Sequence, residues 1–197
     1  MTEPGALEIP IFPLNTVLFP GGRLPLRIFE ARYVDMIKTC LRDASVFGVC
    51  QILEGKEVGK PALPAPIGCT ARISRWDTPS PGLFKVMCVG ERPFRVVDHW
   101  SQADGLIKAR VECLPASEPQ ALPPRYAVLA EFLRDLLEKF GQRHFEPPAK
   151  FEDVAWVSHR LSEMLPFDPV DKLRMLETVA PAQKLALLEQ LMRNLDH

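Results

Sequence analysis

Two periods divide this chain. Up to about residue 115, apolar and polar side chains mostly alternate. Ile67, Cys69, Ala71 and Ile73 take turns with Gly68, Thr70, Arg72 and Ser74, and Ile107, Ala109, Val111 and Cys113 with Lys108, Arg110 and Glu112. A period of two sends one set of side chains inward and the other to water, so both runs predict half-buried strands. Residues 46–53, 84–89 and 94–97 are further strand candidates, rich in β-branched and aromatic side chains. Turn-forming residues separate the candidates at Gly55 and at 59–66, 79–82 and 90–93. Short strands at such spacing predict a barrel or a folded-over sheet.

One helix interrupts the strands. Between residues 31 and 43, Tyr33, Met36, Ile37, Cys40 and Leu41 share a face, and Asp35, Lys38 and Arg42 oppose it. Beyond residue 124 the period becomes 3.6. Tyr126, Leu129, Leu133, Leu136 and Phe140 form one stripe, and Val154, Val157, Leu161 and Met164 a second. Asp168-Pro169-Val170-Asp171 opens a third helix with a capping acid and a first-turn proline. Pro181 opens a fourth, running to about Leu195. Between the two regimes lie Pro115, Pro119, Pro123 and Pro124, whose fixed φ and missing amide donors suit a linker or an extended strap. The expected fold class is α+β: a β-rich domain at 1–115, a linker at 116–124 and a helical subdomain at 125–197.

Charge and cysteine content narrow the function. The 197 residues carry 24 Lys and Arg against 25 Asp and Glu, a net charge of −1. No excess of cations is available to hold nucleic acid or an anionic membrane. A cluster of Arg72, Arg75, Arg92 and Arg95 near Trp76, Phe94 and Trp100 keeps RNA binding as the alternative reading. No apolar stretch reaches the roughly 18 residues of a membrane span, and the N-terminus lacks a basic secretory leader. Cys40, Cys50, Cys69, Cys88 and Cys113 are odd in number and contain no C-x-x-C, which predicts reduced core residues and a cytoplasmic setting.

Searches for chemistry return nothing assembled. Gly55-Lys56-Glu57-Val58-Gly59-Lys60-Pro61 is one residue short of a phosphate loop and has proline where the hydroxyl belongs, so a surface turn is expected. No serine has glycine two residues before it, as a nucleophile elbow requires. Metal ligands would come from His99, His144, His159 and His197 with acids or thiols. His159 and Glu163 stand four apart, but opposite the apolar stripe and without a third ligand, so an exposed polar pair is expected. No catalytic residue, metal or cofactor is expected. Two features point to packing surfaces instead, for which the expected cover is the β-rich domain at Trp156 and the helix's own bundle at the last helix, with a partner protein as the alternative for each. Trp156 faces away from the Val154, Val157 and Leu161 stripe, and the last helix carries Leu185, Leu187, Leu188, Leu191, Met192 and Leu195.

The opening run is the most specific signal. Ile9-Pro10-Ile11-Phe12-Pro13-Leu14-Asn15-Thr16-Val17-Leu18-Phe19-Pro20-Gly21 precedes Leu24-Pro25-Leu26-Arg27-Ile28-Phe29-Glu30-Ala31-Arg32-Tyr33. Together they resemble the N-terminal, substrate-binding domain of the Lon protease family. Ile67-Gly68-Cys69-Thr70-Ala71-Arg72-Ile73, Gly90-Glu91-Arg92-Pro93-Phe94-Arg95-Val96 and Leu161-Ser162-Glu163-Met164-Leu165-Pro166-Phe167-Asp168 match later blocks in order. The resemblance implies a PUA-like β-barrel with one inserted helix and a C-terminal helical bundle. It also implies a module that binds unfolded polypeptide or partner proteins. The family's Walker loop and Ser–Lys dyad have no counterpart here, so a stand-alone, non-enzymatic relative is expected. Arg23, Leu24, Arg27 and Phe29, in a loop-to-strand segment, and Trp156 are the candidate contact residues.

Overall fold

The computed structural model describes residues 6–140 and 145–195. Six strands form: β1 (Ala6–Leu14), β2 (Arg23–Ile28), β3 (Phe47–Glu54), β4 (Leu63–Ser80), β5 (Leu83–Ser101) and β6 (Ile107–Cys113). The helices are α1 (Ala31–Asp43), α2 (Ala127–Phe140), α3 (Val154–Met164), α4 (Pro169–Glu177) and α5 (Pro181–Leu195). α1 and β6 occupy the segments that their periodicity predicts.

The α+β class holds, but the expected PUA-like β-barrel does not. All strands belong to one six-stranded sheet in the order β2-β5-β4-β3-β1-β6, with β2 at an edge. Its one parallel pair is β1 with β3. A further pairing of β5 with β6, from Phe94 to Ser101, folds the sheet over on itself. The strands are not uniformly short either. β4 and β5 run for 18 and 19 residues and bend at register shifts such as Cys69/Ala71 and Ile73/Arg75. Residues 90–93, read from sequence as a turn, lie inside β5 and join two expected strands into one.

Two apolar clusters result. Ile9, Ile11, Cys50, Phe94, Ile107, Ala109 and Val111 fill the fold of the sheet. Phe94 fits there because Gly48 and Gly68 flank its ring: a Cβ at either would lie 2.7 or 2.6 Å from Phe94 Cζ. The larger cluster runs continuously from Phe12, Phe19, Ile37 and Phe47 through Ile67 and Cys88 to Leu133, Val157, Leu161 and Leu188. Leu185, Leu187, Leu188 and Leu191 are therefore spent within the chain's own helical layer, and Leu195 is left 41% exposed.

Candidate functional site

α3 is the hub. Its N-cap Asp153 accepts a 2.7 Å hydrogen bond from the Trp156 amide, satisfying one of the free donors of the first turn. Eight of its eleven residues are buried, including Ser158, His159, Arg160 and Ser162. The expected exposed His159–Glu163 pair is thus corrected. His159 is buried, and the two side chains serve different partners. An amphipathic pattern fails here because the helix is enclosed by α2, α4 and α5 and by the turn at residues 19–22, so its polar face meets protein instead of water.

The buried polar groups on α3 divide: His159, Arg160 and Glu163 make polar contacts, whereas the hydroxyls of Ser158 and Ser162 have no hydrogen-bond partner among the described residues. Arg160 donates to the Pro20 carbonyl at 2.9 Å and to Glu163 Oε1 at 2.8 Å. Burial pushes the Glu163 carboxyl up to about 8, against the pull of Arg160, of Lys172 and of a hydrogen bond from the Phe19 backbone. The Phe19 ring lies 5.2 Å from the imidazole of His159. His159 Nε2 is 3.0 Å from Lys184 Nζ on α5, and Lys184 also donates to the Met175 carbonyl at 3.2 Å. Burial, then the charges of Lys184 and Arg160, holds His159 well below its ordinary range, so its Nε2 accepts. Burial lowers Lys184 to about 8, with Asp153 opposing the shift.

Lys184 gives a pH prediction. Its folded value lies below the unfolded 10.5, so between about pH 8 and 10.5 the unfolded chain binds more protons and stability rises with pH. The stabilisation of Lys184→Met over the parent should be largest below pH 8 and shrink by at most about 3 kcal/mol by pH 10.5. Urea unfolding of both proteins across that range checks it.

Between the sheet and the helices lies a cleft of about 280 Å³. Pro20 and Gly21 of the turn and Glu91, Arg92 and Pro93 of β5 form one wall. Residues 114–117 form the second, and Asp153, Ala155, Trp156, His159, Leu176, Val179 and Lys184 the third. The proline-rich segment is an extended strap. Its Leu122 amide donates to Glu152, its Gln120 carbonyl accepts from Val154, and Ser117 Oγ donates to the Val179 carbonyl. Four of the ten residues 115–124 are prolines, which cannot donate to a ladder, and the strap instead follows the helical layer.

The sequence-predicted contact residues fall in three places. Trp156 lines the cleft, 8% exposed, with its ring edge-on to Phe145 and Phe151 at 5.1 and 5.2 Å. Arg23 and Leu24 line a second cavity of about 360 Å³ with Glu163 and Lys172, and Arg23 stands 3.6 Å from Glu146. Arg27 and Phe29 lie at a third, of about 240 Å³, where Phe29 is 59% exposed. Sequence reasoning missed Arg160 and Lys184. A signal for Lys184 was present: it precedes Leu188 by four and Leu191 by seven, on the apolar face of α5.

The alternatives gain little from the geometry. Arg72 pairs with Glu91 at 2.8 Å and Arg95 with Glu177 at 2.6 Å, so two of the four arginines proposed for RNA are engaged. Among the described residues no three His, Cys, Asp or Glu side chains gather as a metal site, and His144 and His197 lie outside those residues. No described helix is long and apolar enough to cross a membrane. Burial pushes the thiols of Cys50 and Cys69 up, and that of Cys88 to about 12, which suppresses the thiolates a nucleophile needs.

Comparison with known proteins settles the family. Residues 8–194 match the ATP-dependent protease La (LON) substrate-binding domain. The chain belongs to this family. This Lon substrate-binding domain superposes on the Lon N-terminal domain protein from Xanthomonas campestris with a TM-score of 0.78 at 32% identity, covering 93% of this chain and 98% of that one. The N-terminal domain of Mycobacterium avium complex Lon protease, 16% identical with a TM-score of 0.60, shares the fold over 94% of this chain and 97% of its own. Lon protease 2 of Myxococcus xanthus is 29% identical over an alignment that covers 98% of this Lon domain and 25% of that protein. Protein cereblon of Gallus gallus is 27% identical over 146 residues, 72% of this chain and 30% of its own. The chain therefore spans about a quarter to a third of these curated relatives, and the family model that it matches describes a substrate-binding domain.

Proposed function

We propose that this Lon substrate-binding domain captures polypeptide segments, without cutting them, in the cleft between β5, the strap and α3. The observation that carries the reading is the cleft itself, which mixes apolar walls (Pro93, Leu114, Trp156, Leu176) with a few polar groups. In this reading, residues 1–115 and 125–197 supply opposing walls and 116–124 the strap between them. Trp156 is the contact residue inside the cleft. Arg23 and Leu24 extend the surface across α3, and Arg27 and Phe29 along the edge strand β2. A cytoplasmic setting agrees with the family and with five free cysteines among the described residues.

Ala155 offers the test. It is half-buried and lines the cleft. Ala155→Phe should fill the space and weaken binding of labelled unfolded peptides at least tenfold by fluorescence anisotropy, a change of about 1.4 kcal/mol. Unchanged affinity in a folded variant would remove the cleft as the site.

A further inference from the structure

Lys184 is 1% exposed, and no carboxylate lies within the 4.0 Å of an ion pair among the described residues. Lysine is almost never so buried unless paired, because removing an ammonium from water is costly. Its two partners here, His159 Nε2 and the Met175 carbonyl, are both neutral acceptors, and they use two of its three N–H donors. Lys184 and His159 both line the cleft. The formal charges on the lining are Arg92, Lys150 and Lys184 against Glu91 and Asp153, an excess of one positive charge. That balance matches a monoanion. A dianion such as phosphate would bring a second negative charge toward two carboxylates with no further cation to meet it. The adjoining walls, Pro93, Leu114, Leu176 and Val179, are apolar.

We infer that the cleft is a monocarboxylate site in which the ligand supplies the counter-charge that Lys184 lacks and the apolar walls hold a hydrophobic group beside the carboxylate. The carboxylate has two sources, the free C-terminus of a polypeptide ending in an apolar residue, or a small apolar acid. The first rests on the polypeptide reading above; the second does not. Binding would add a charge-assisted hydrogen bond to an ammonium whose two present acceptors are neutral. The titratable groups that act on it are His159 and Asp153, and Arg160 acts on His159 in turn, all from α3 and its cap.

The experiment is calorimetric titration with two matched pairs: an unfolded peptide ending in leucine, as free acid and as amide, and N-acetyl-leucine against its amide. The free acids should bind at least tenfold tighter than the amides, and inorganic phosphate should not compete. Lys184→Met should abolish the preference, with circular dichroism reporting that the variant is folded. In the parent protein, the Lys184 ammonium followed by NMR should become harder to deprotonate with acid bound and stay unchanged with amide. Acid and amide peptides binding alike would overturn the carboxylate site and leave the polypeptide cleft standing. Binding of N-acetyl-leucine alone, with neither peptide, would support the site and overturn the polypeptide reading. A preference that survives in Lys184→Met, or competition by phosphate, would overturn the assignment.

Discussion

At pH 9, where Glu163 is ionised, Arg160→Met is expected to destabilise the fold by about 3–5 kcal/mol, the range found when one partner of a buried ion pair is removed. Arg160 is 1% exposed and fastens α3 to the turn at Pro20 while holding Glu163, whose side chain is only 17% exposed. Methionine restores much of the volume, so the loss should be electrostatic. It strands the Pro20 carbonyl and leaves Glu163 to ionise without its neighbour. Glu163 escapes part of the penalty by holding a proton, because burial already raises it to about 8. The folded state therefore binds more protons than the unfolded state between about pH 4.5 and 8, and the parent loses stability as pH rises through that window. Without Arg160 the window should extend to higher pH, making the variant's deficit larger at pH 9 than at pH 6. Glu163→Gln added to Arg160→Met should recover part of the deficit at pH 9. Denaturant unfolding of the parent, Arg160→Met, Glu163→Gln and the double variant at both pH values tests this, and a cost of Arg160→Met under about 1 kcal/mol at pH 9 would show that the pair adds little to stability.

Gly90→Ala should cost about 2–4 kcal/mol, within the range of overpacking in a rigid site. Gly90 exchanges backbone hydrogen bonds with the turn: it accepts from Gly21 at 2.7 Å and donates to Gly22 at 2.9 Å. A methyl group there would collide with the Phe19 carbonyl oxygen and lie 2.9 Å from its carbon. Both atoms are backbone, so no side chain can rotate out of the way. Relief requires moving the turn, which carries Pro20 and Gly21 of the cleft and Phe19 of the core. The variant should lower the midpoint of thermal unfolding and weaken peptide binding together. A stable Gly90→Ala protein with parental affinity would mean that the turn is not held as described.

These two residues also mark where pattern reading stops. Gly90 and Pro93 read as a turn because glycine and proline are the commonest punctuation between strands. They stand inside β5 because the close approach of the 19–22 turn excludes a side chain at residue 90. His159 read as exposed because the pattern of Val154, Val157 and Leu161 identifies one buried face of a helix and says nothing of what covers the other. Trp156, expected to pack on something, does so against Phe145 and Phe151 from the segment before α3. The contact residues near β2 came from a local run, and the fold places Arg23 and Leu24 in one cavity and Arg27 and Phe29 in another.

What the chain's own order of residues determined was local: the inserted helix at 31–43, the strand at 107–113, the helical tail, the reduced cysteines and the blocks that mark the Lon family. Each depends on neighbours within a few residues, where periodicity and turn chemistry act. The free edge of the folded-over sheet, the enclosure of α3 and the meeting of Lys184 with His159 across 25 residues were decided by tertiary packing. Desolvation depends on what surrounds a charge from every side, and only the assembled fold brings those surroundings together.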